Sequence, residues 1–201
     1  GAEVVQKGAN YSEALALCDA WVAESGAAGV HAYDAEATLE GQGTLARELE
    51  AQAPGIDTLL VAVGGGGLIG GIAAWYQSSV KVVGVEPFTC NTLHAALAAG
   101  ERVAVKPSGL ATDSLGASMV GRLMFDIAKD HIAEVALVSD DDIRDAQRRL
   151  WQEMQLVTEP GGAAAFAALL SGAYRPEKDE RVGIVVCGAN TSMEVFGQLF
   201  S

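Results

Sequence analysis

Positive charge is scarce in this 201-residue sequence: 13 lysines and arginines stand against 26 aspartates and glutamates, for a net charge of −13. Such a field repels nucleic acid and anionic membranes, and no basic stripe interrupts it, so neither is expected as a partner. Cysteine is rarer still. Cys18, Cys90 and Cys187 lie far apart, and an odd, sparse count argues against a disulfide framework and for a reducing, cytoplasmic compartment. His31, His94 and His131 are similarly scattered, with no spacing that suits a zinc site. No apolar run reaches membrane-spanning length, and no signal peptide, internal repeat or low-complexity tract is visible. An initiating methionine is missing too: the chain opens Gly1-Ala2-Glu3 and its first methionine is Met119. We therefore expect the later portion of a longer polypeptide, or a processed product.

What remains is a chain built to fold. Half of its residues are hydrophobic and 19% are charged, enough for one substantial core or for one domain with part of another. Short apolar runs alternate with helical spacing. Val4-Val5, Val30 to Tyr33, Thr58 to Val63, Lys81 to Val85, Glu134 to Val138 and Val182 to Val186 read as strands. Helices are expected from Ser12 to Ala23, with Asn10 or Ser12 as cap, and from Thr38 to Ala51 with an interruption near Gly41-Gln42-Gly43. Further helices are expected from Leu68 to Trp75, Asn91 to Ala99, Leu115 to Lys129 and Ser139 to Met154. Gly162 to Leu170, opened by Pro160, and the C-terminal residues complete the set, while Val105 to Gly116 reads as a loop. Strand–helix alternation of this kind predicts an α/β fold with a mainly parallel, twisted sheet covered by helices on both faces.

The 24 glycines cluster, and the densest cluster is Gly64-Gly65-Gly66-Gly67, between a buried strand and a helix. Consecutive glycines there let backbone N–H groups converge on one concavity, and the helix N-terminus adds positive potential. A tight turn alone does not need four glycines, each of which loses conformational entropy on folding. A phosphate is the expected occupant. The pattern is neither Gly-x-Gly-x-x-Gly nor Gly-Lys-Ser/Thr, which moves the reading away from dinucleotides and nucleoside triphosphates.

Val63-Gly64-Gly65-Gly66-Gly67-Leu68-Ile69-Gly70-Gly71 resembles the phosphate loop of the fold-type-II pyridoxal 5′-phosphate (PLP) enzymes, which include threonine dehydratase and serine racemase. The resemblance extends, in order and rough spacing, through His31-Ala32-Tyr33-Asp34, Gly41-Gln42-Gly43-Thr44, Val85-Glu86-Pro87, Glu159-Pro160-Gly161-Gly162-Ala163 and Cys187-Gly188-Ala189-Asn190. It implies the large domain of the tryptophan synthase β-like fold, with residues 1–28 as the tail of a smaller domain and 29–201 as an incomplete large PLP-binding domain. The backbone N–H groups of Gly64, Gly65, Gly66, Gly67 and Leu68 are then expected to hold the cofactor phosphate. Cys187 falls where the family places a neutral partner of the pyridine nitrogen; the plainer reading is a buried, inert thiol. Glu159 is expected near the ring or the substrate, with a carboxylate serving only a helix N-terminus as the alternative. Tyr33 is expected to touch the cofactor or simply to pack. Asp113 to Gly116 are expected to line the pocket or to be a solvated loop.

Two departures shape the functional expectation. The family carries PLP as a Schiff base on a lysine within a Ser-x-Lys-x-Arg-like stretch, and none of Lys7, Lys81, Lys106, Lys129 and Lys178 has such neighbours. No catalytic residue is therefore assigned. Some members hold a cation through a glutamate like Glu86 and an aspartate six residues on; here that position is Thr92, and no metal is expected. The resemblance thus implies a portion of a serine/threonine dehydratase, acting on a small amino acid by β-elimination, inactive alone, and a homodimer or dependent on a missing N-terminal polypeptide. The alternatives are a non-catalytic phosphate- or PLP-binding module, a half-enzyme completed by another chain, and a racemase or other lyase on the same frame.

Overall fold

Continuous apolar runs, unlike alternating ones, bury both faces of a strand, and here they set the centre of the fold. The structure is a computed structural model describing residues 1–8 and 11–200. Strands β1 (Thr58–Ala62), β2 (Lys81–Pro87), β3 (Ile132–Val138) and β4 (Val182–Ile184) form one parallel sheet in the order β3-β2-β1-β4. Every residue of β1 is buried, as a strand covered on both sides requires. Its side chains alternate between two cores. Leu59 and Val61 face helices α2 (Glu36–Gln52), α3 (Gly67–Tyr76), α4 (Thr92–Ala99) and α6 (Arg122–His131), together with Ile69, Ile72 and Met124. Leu60 and Ala62 face α7 (Asp140–Met154) and α8 (Pro160–Ser171), with Ile143 and Ala164. Helix α1 (Tyr11–Ser25) precedes this body, α5 (Thr112–Leu115) is a single turn, and α9 (Met193–Gly197) follows it. Among the described residues, no helix is long and apolar enough to cross a membrane.

The strand order matters for function. From β1 the chain builds outward through β2 to β3, then returns to lay β4 on the other side of β1. The carboxyl ends of β1 and β4 therefore flank the point where the winding reverses, the usual ligand crevice of open α/β sheets.

Most element boundaries follow local chemistry. Ser139 and Asp142 form a reciprocal capping box at the start of α7, Pro160 opens α8, and Gly26 (φ +71°) donates to the Val22 carbonyl at the end of α1. Four expectations are corrected. Val4-Val5 is not a strand but exposed coil, with Val4 84% accessible. Val30 to Tyr33 is a turn, because the His31 Nδ1 accepts the backbone N–H groups of Tyr33 (3.1 Å) and Asp34 (2.9 Å). Helix α2 runs without interruption through Gly41 and Gly43. The helix expected from Leu115 begins only at Arg122: residues 116–121 are drawn aside, with the Gly121 N–H donating to the Gly65 carbonyl at 3.0 Å. Asp34 supplies the cap of α6 from 89 residues away, its Oδ1 accepting the Leu123 N–H at 3.0 Å. Of the two caps proposed for α1, Asn10 lies outside the described residues and Ser12 is already inside the helix.

The end of the sheet where the strands start is tied by polar groups. The buried Tyr174 hydroxyl donates to the Glu180 carboxylate and lies 3.3 Å from the Thr58 Oγ1, which also donates to Glu180. Lys81 crosses the Tyr174 ring at 5.0 Å and pairs with Glu134 at 2.8 Å. Tyr174→Phe removes one hydroxyl but leaves the Thr58–Glu180 bond, so a stability loss of about 1 kcal/mol is expected from urea midpoints.

Candidate functional site

The tetraglycine loop leaves β1 at its carboxyl end, and its backbone is oriented by what happens to its carbonyls. The Gly64 oxygen lies 2.8 Å from the Thr92 Oγ1, the Gly65 oxygen accepts the Gly121 N–H at 3.0 Å, and the Gly66 oxygen accepts the Gly70 N–H at 2.8 Å. In a trans peptide the carbonyl and the next N–H point in opposite directions. Fixing those three carbonyls therefore turns the N–H groups of Gly65, Gly66 and Gly67 the other way. Among the described residues, none of the N–H groups from Gly64 to Leu68 finds an acceptor. The loop also opens α3, so these donors sit at a helix N-terminus. Five unpaired donors in such a place are suited to an anion.

Glycine is required here for different reasons at different positions. Gly66 has φ +90°, the left-handed region, and a Cβ on it would lie 2.6 Å from Met124. A Cβ on Gly65 would lie 2.3 Å from the Tyr33 ring. Tyr33 thus backs the loop instead of standing at a strand end; its hydroxyl donates to the Met119 carbonyl at 3.4 Å, and its ring meets His31 and Tyr11 at 4.8 and 5.7 Å.

Close backbone approach joins the loop to the other segments singled out in the sequence. A Cβ on Gly64 would stand 3.1 Å from the Leu115 Cα. The Ser114 Oγ accepts the Gly161 N–H at 3.0 Å. A Cβ on Gly162 would stand 2.2 Å from the Gly188 carbonyl oxygen, and the Glu159 N–H donates to that same oxygen at 3.2 Å. The segments at Gly64, Ser114, Glu159 and Cys187 are thereby knit around the carboxyl ends of β1 and β4. Ser114 and Leu115 belong to this wall, whereas Asp113 points to solvent.

Cys187 is exposed, which removes the reading of a buried, inert thiol. The surrounding protein still displaces enough water to push the thiol above its usual value, and the Glu159 carboxylate adds to the shift. The group therefore stays a neutral thiol at physiological pH. Glu159 caps α8 by position, yet its side chain makes no capping hydrogen bond; the carboxylate instead fills the space that a Cβ on Gly188 would need. A donor set of backbone amides at one side and a neutral thiol at the other fits a phosphorylated, weakly basic heterocycle.

One residue at this end escaped assignment from sequence. Glu86, at the end of β2, is fully buried. It accepts the Leu93 and His94 N–H groups, each at 2.8 Å, and lies 3.0 Å from the Thr92 Oγ1. Burial pushes its carboxyl up to about 7 against the pull of those donors. A glutamate inside an otherwise apolar strand end is the signal by which it can be found. Lys81 opens β2 and Lys129 lies in the last turn of α6, both at the end where the strands start, and Lys7, Lys106 and Lys178 are exposed. Among the described residues, no cluster of three or more histidine, cysteine or carboxylate side chains is placed to hold a metal.

Comparison with known proteins bears on the same residues. A sequence model of the family described as pyridoxal-phosphate dependent enzyme matches residues 1–188. The catabolic L-threonine dehydratase TdcB of Escherichia coli (strain K12) is 32% identical over 98% of this chain and 61% of its own length. The serine racemase of Dictyostelium discoideum is 31% identical over 86% of this chain and 55% of its own. The processed form of threonine deaminase isoform 2 from Solanum lycopersicum superimposes with a TM-score of 0.89 at 26% identity, covering 97% of this chain and 58% of that one. The chain thus spans little more than half the length of the relatives it matches.

Proposed function

The chain belongs to the pyridoxal-phosphate-dependent enzymes of fold type II, and from that premise we propose that it is the phosphate- and ring-nitrogen-binding portion of a serine/threonine dehydratase. The observation that carries this reading is the set of unpaired N–H groups from Gly64 to Leu68 on the loop that leaves the carboxyl end of β1, next to β4 in the sheet. These five amides hold the cofactor phosphate. Cys187 partners the pyridine nitrogen as a neutral thiol and so leaves that nitrogen without a full positive charge. Bound PLP supplies an electron sink for a substrate Cα–H bond, and a weaker sink suits β-elimination better than long carbanion lifetimes. Glu159 sets the electrostatic boundary at the thiol, and Tyr33 backs the loop so that its donors keep their direction. Residues 1–28 are assigned to a smaller domain: α1 leaves Leu17 and Trp21 exposed. Residues 29–201 are assigned to the large domain.

The substrate class is a small hydroxy amino acid, released as a 2-oxo acid and ammonia. With no lysine in a Ser-x-Lys-x-Arg-like stretch, the chain alone is expected to be inactive on L-serine and L-threonine, and activity is expected when a polypeptide carrying the lysine is supplied. Turnover by the purified chain would overturn that part. The binding part is tested with pyridoxine 5′-phosphate, which has the phosphate but no aldehyde. At a hundredfold excess over its Kd it is expected to stabilise the fold by about 2.7 kcal/mol, while pyridoxine is expected to do nothing. Equal shifts for the two compounds would sink the phosphate reading. Gly66→Ala places a side chain in the left-handed region against Met124, and an affinity loss of about tenfold is expected.

A further inference from the structure

The turn at residues 31–34 reaches the phosphate cradle of Gly64 to Leu68 by two routes, and both end at Gly65. The first is direct packing. A Cβ on Gly65 would lie 2.3 Å from the Tyr33 ring, and a Cβ on Gly67 would lie 2.9 Å from the Tyr33 Cα. The second route runs through the start of α6. The Asp34 Oδ1 accepts the Leu123 N–H at 3.0 Å, and it would stand 3.2 Å from a Cβ on Gly121. The Gly121 N–H in turn donates to the Gly65 carbonyl at 3.0 Å. That carbonyl sets the plane of the peptide carrying the Gly66 N–H. Whatever fixes Tyr33 and Asp34 therefore bears on the direction of the central donors.

One atom holds both residues. The His31 Nδ1 accepts the Tyr33 N–H at 3.1 Å and the Asp34 N–H at 2.9 Å. An imidazole nitrogen that accepts carries no hydrogen, so the neutral ring has its hydrogen on Nε2. An acceptor on one side chain serving the second and third N–H groups after it is what asparagine and aspartate supply in turns and caps; here a ring nitrogen takes the place of their oxygen. The same ring meets the Tyr33 ring edge-on, with centroids 4.8 Å apart. The backbone of His31 is tied to the first turn of α2, where the Thr38 Oγ1 donates to the His31 carbonyl at 2.9 Å. Helix α2 in turn crosses α3, the helix that the loop opens.

We propose that His31 is a positioning residue for the cradle: its ring nitrogen holds Tyr33 against Gly65 and Gly67, and Asp34 against the start of α6. This rests on reading the glycine loop as the phosphate site. His31 acts through those two neighbours and not on the anion itself. Without the acceptor, the Tyr33 and Asp34 N–H groups turn to water and the turn opens. Gly65 then loses the ring packed against it and the firm seat of Gly121, and the donors around it lose their common direction. The role needs an acceptor and no positive charge, which separates it from a histidine that attracts an anion as a cation.

The test uses the full chain labelled with 15N, with sulfate as the anion and the Gly65 and Gly67 amide resonances as a second readout. His31→Ala is expected to bind sulfate about tenfold more weakly, the worth of one of the two hydrogen bonds. It is also expected to move both amide resonances before any sulfate is added. His31→Asn offers an oxygen to the same two N–H groups and is expected to recover the wild-type affinity to within about twofold, with the wild-type amide positions. His31→Phe keeps a ring against Tyr33 but has no acceptor, and is expected to behave as His31→Ala does. Tyr174→Phe, which loses stability at the opposite end of the sheet, is expected to bind sulfate as the wild type does. Wild-type affinity or unmoved amides in His31→Ala or His31→Phe overturn the proposal, and so does a His31→Asn variant as weak as His31→Ala. If the wild type binds no sulfate while the amides respond to the three variants as expected, the positioning role stands and the phosphate-site reading fails.

Discussion

Gly71→Ala is expected to destabilise the protein by about 2–3 kcal/mol, although alanine is the better helix former by about 1 kcal/mol. The cause is the crossing of α2 and α3. A Cβ on Gly71 would stand 2.4 Å from the Leu39 carbonyl oxygen and 2.7 Å from the Gly43 backbone nitrogen. Both obstacles are backbone, so no rotamer change relieves the clash, and the helices must separate. Separation opens the core shared by Ala46, Ile72 and Ala73 and displaces the buried Leu39, which abuts Gly70 and Gly71 at the crossing. Since α3 begins within the tetraglycine loop, the displacement also reaches the cradle. Gly41→Ala is the matched control: a Cβ there meets nothing within 4 Å, and the change is expected to stabilise by about 0.5–1 kcal/mol. Urea unfolding of the two variants decides the matter. Equal effects would mean that the glycines of α2 and α3 are there for local reasons and not for the crossing.

The same crossing explains one limit of what the sequence discloses. Gly41-Gln42-Gly43 has the composition of a break, yet the helix continues through it, because a partner backbone occupies the space of the Gly43 side chain. Local propensity cannot see that partner. A similar long-range effect displaces the start of α6, where Gly121 is bound to Gly65 and Leu123 to Asp34; the periodicity after Leu115 is genuine, but the chain is held out of a helix by contacts distant in sequence. Val30 to Tyr33 looked like a strand from its apolar and aromatic residues, and a histidine ring nitrogen accepting two neighbouring N–H groups made it a turn. By contrast β1, the capping box of α7 and the proline of α8 were legible, because their determinants lie within a few residues of one another.

The site was legible to a similar degree. Its parts (the glycine loop, Glu159 and Cys187) stand in the sequence as separate motifs, and the sheet order brings their segments to one end. What the sequence leaves out is direction. Nothing in the order of residues tells that Tyr33 lies behind the loop, that Glu159 bends over Gly188 and not onto its own helix, or that Thr92 lies between Glu86 and Gly64.

The second large effect concerns pH. Glu86 has a folded-state value of about 7 against an ordinary 4.5, so folding takes up a proton wherever the unfolded chain has lost it. The contribution of this group to stability is complete below about pH 4.5 and is lost as pH rises through about 7. Over that window the unfolding free energy is expected to fall by about 3 kcal/mol. Other shifted groups act outside it. Asp34 and Glu180 are held below their ordinary values by hydrogen bonds, so their contributions are lost only as pH falls below the normal carboxylate range. Lys81, Tyr174 and Cys187 are raised from ordinary values that already lie above neutrality. An ionic strength of about 0.15 M damps the general repulsion of a chain at −13. Glu86→Gln carries no titrating proton, so its stability is expected to stay level across the window in which the wild type declines. The two curves are expected to converge toward high pH, where the wild type alone buries a charge. Parallel curves from about pH 4.5 to about pH 8 would show that the buried carboxyl ionises freely and that its place beside Thr92 has no energetic consequence.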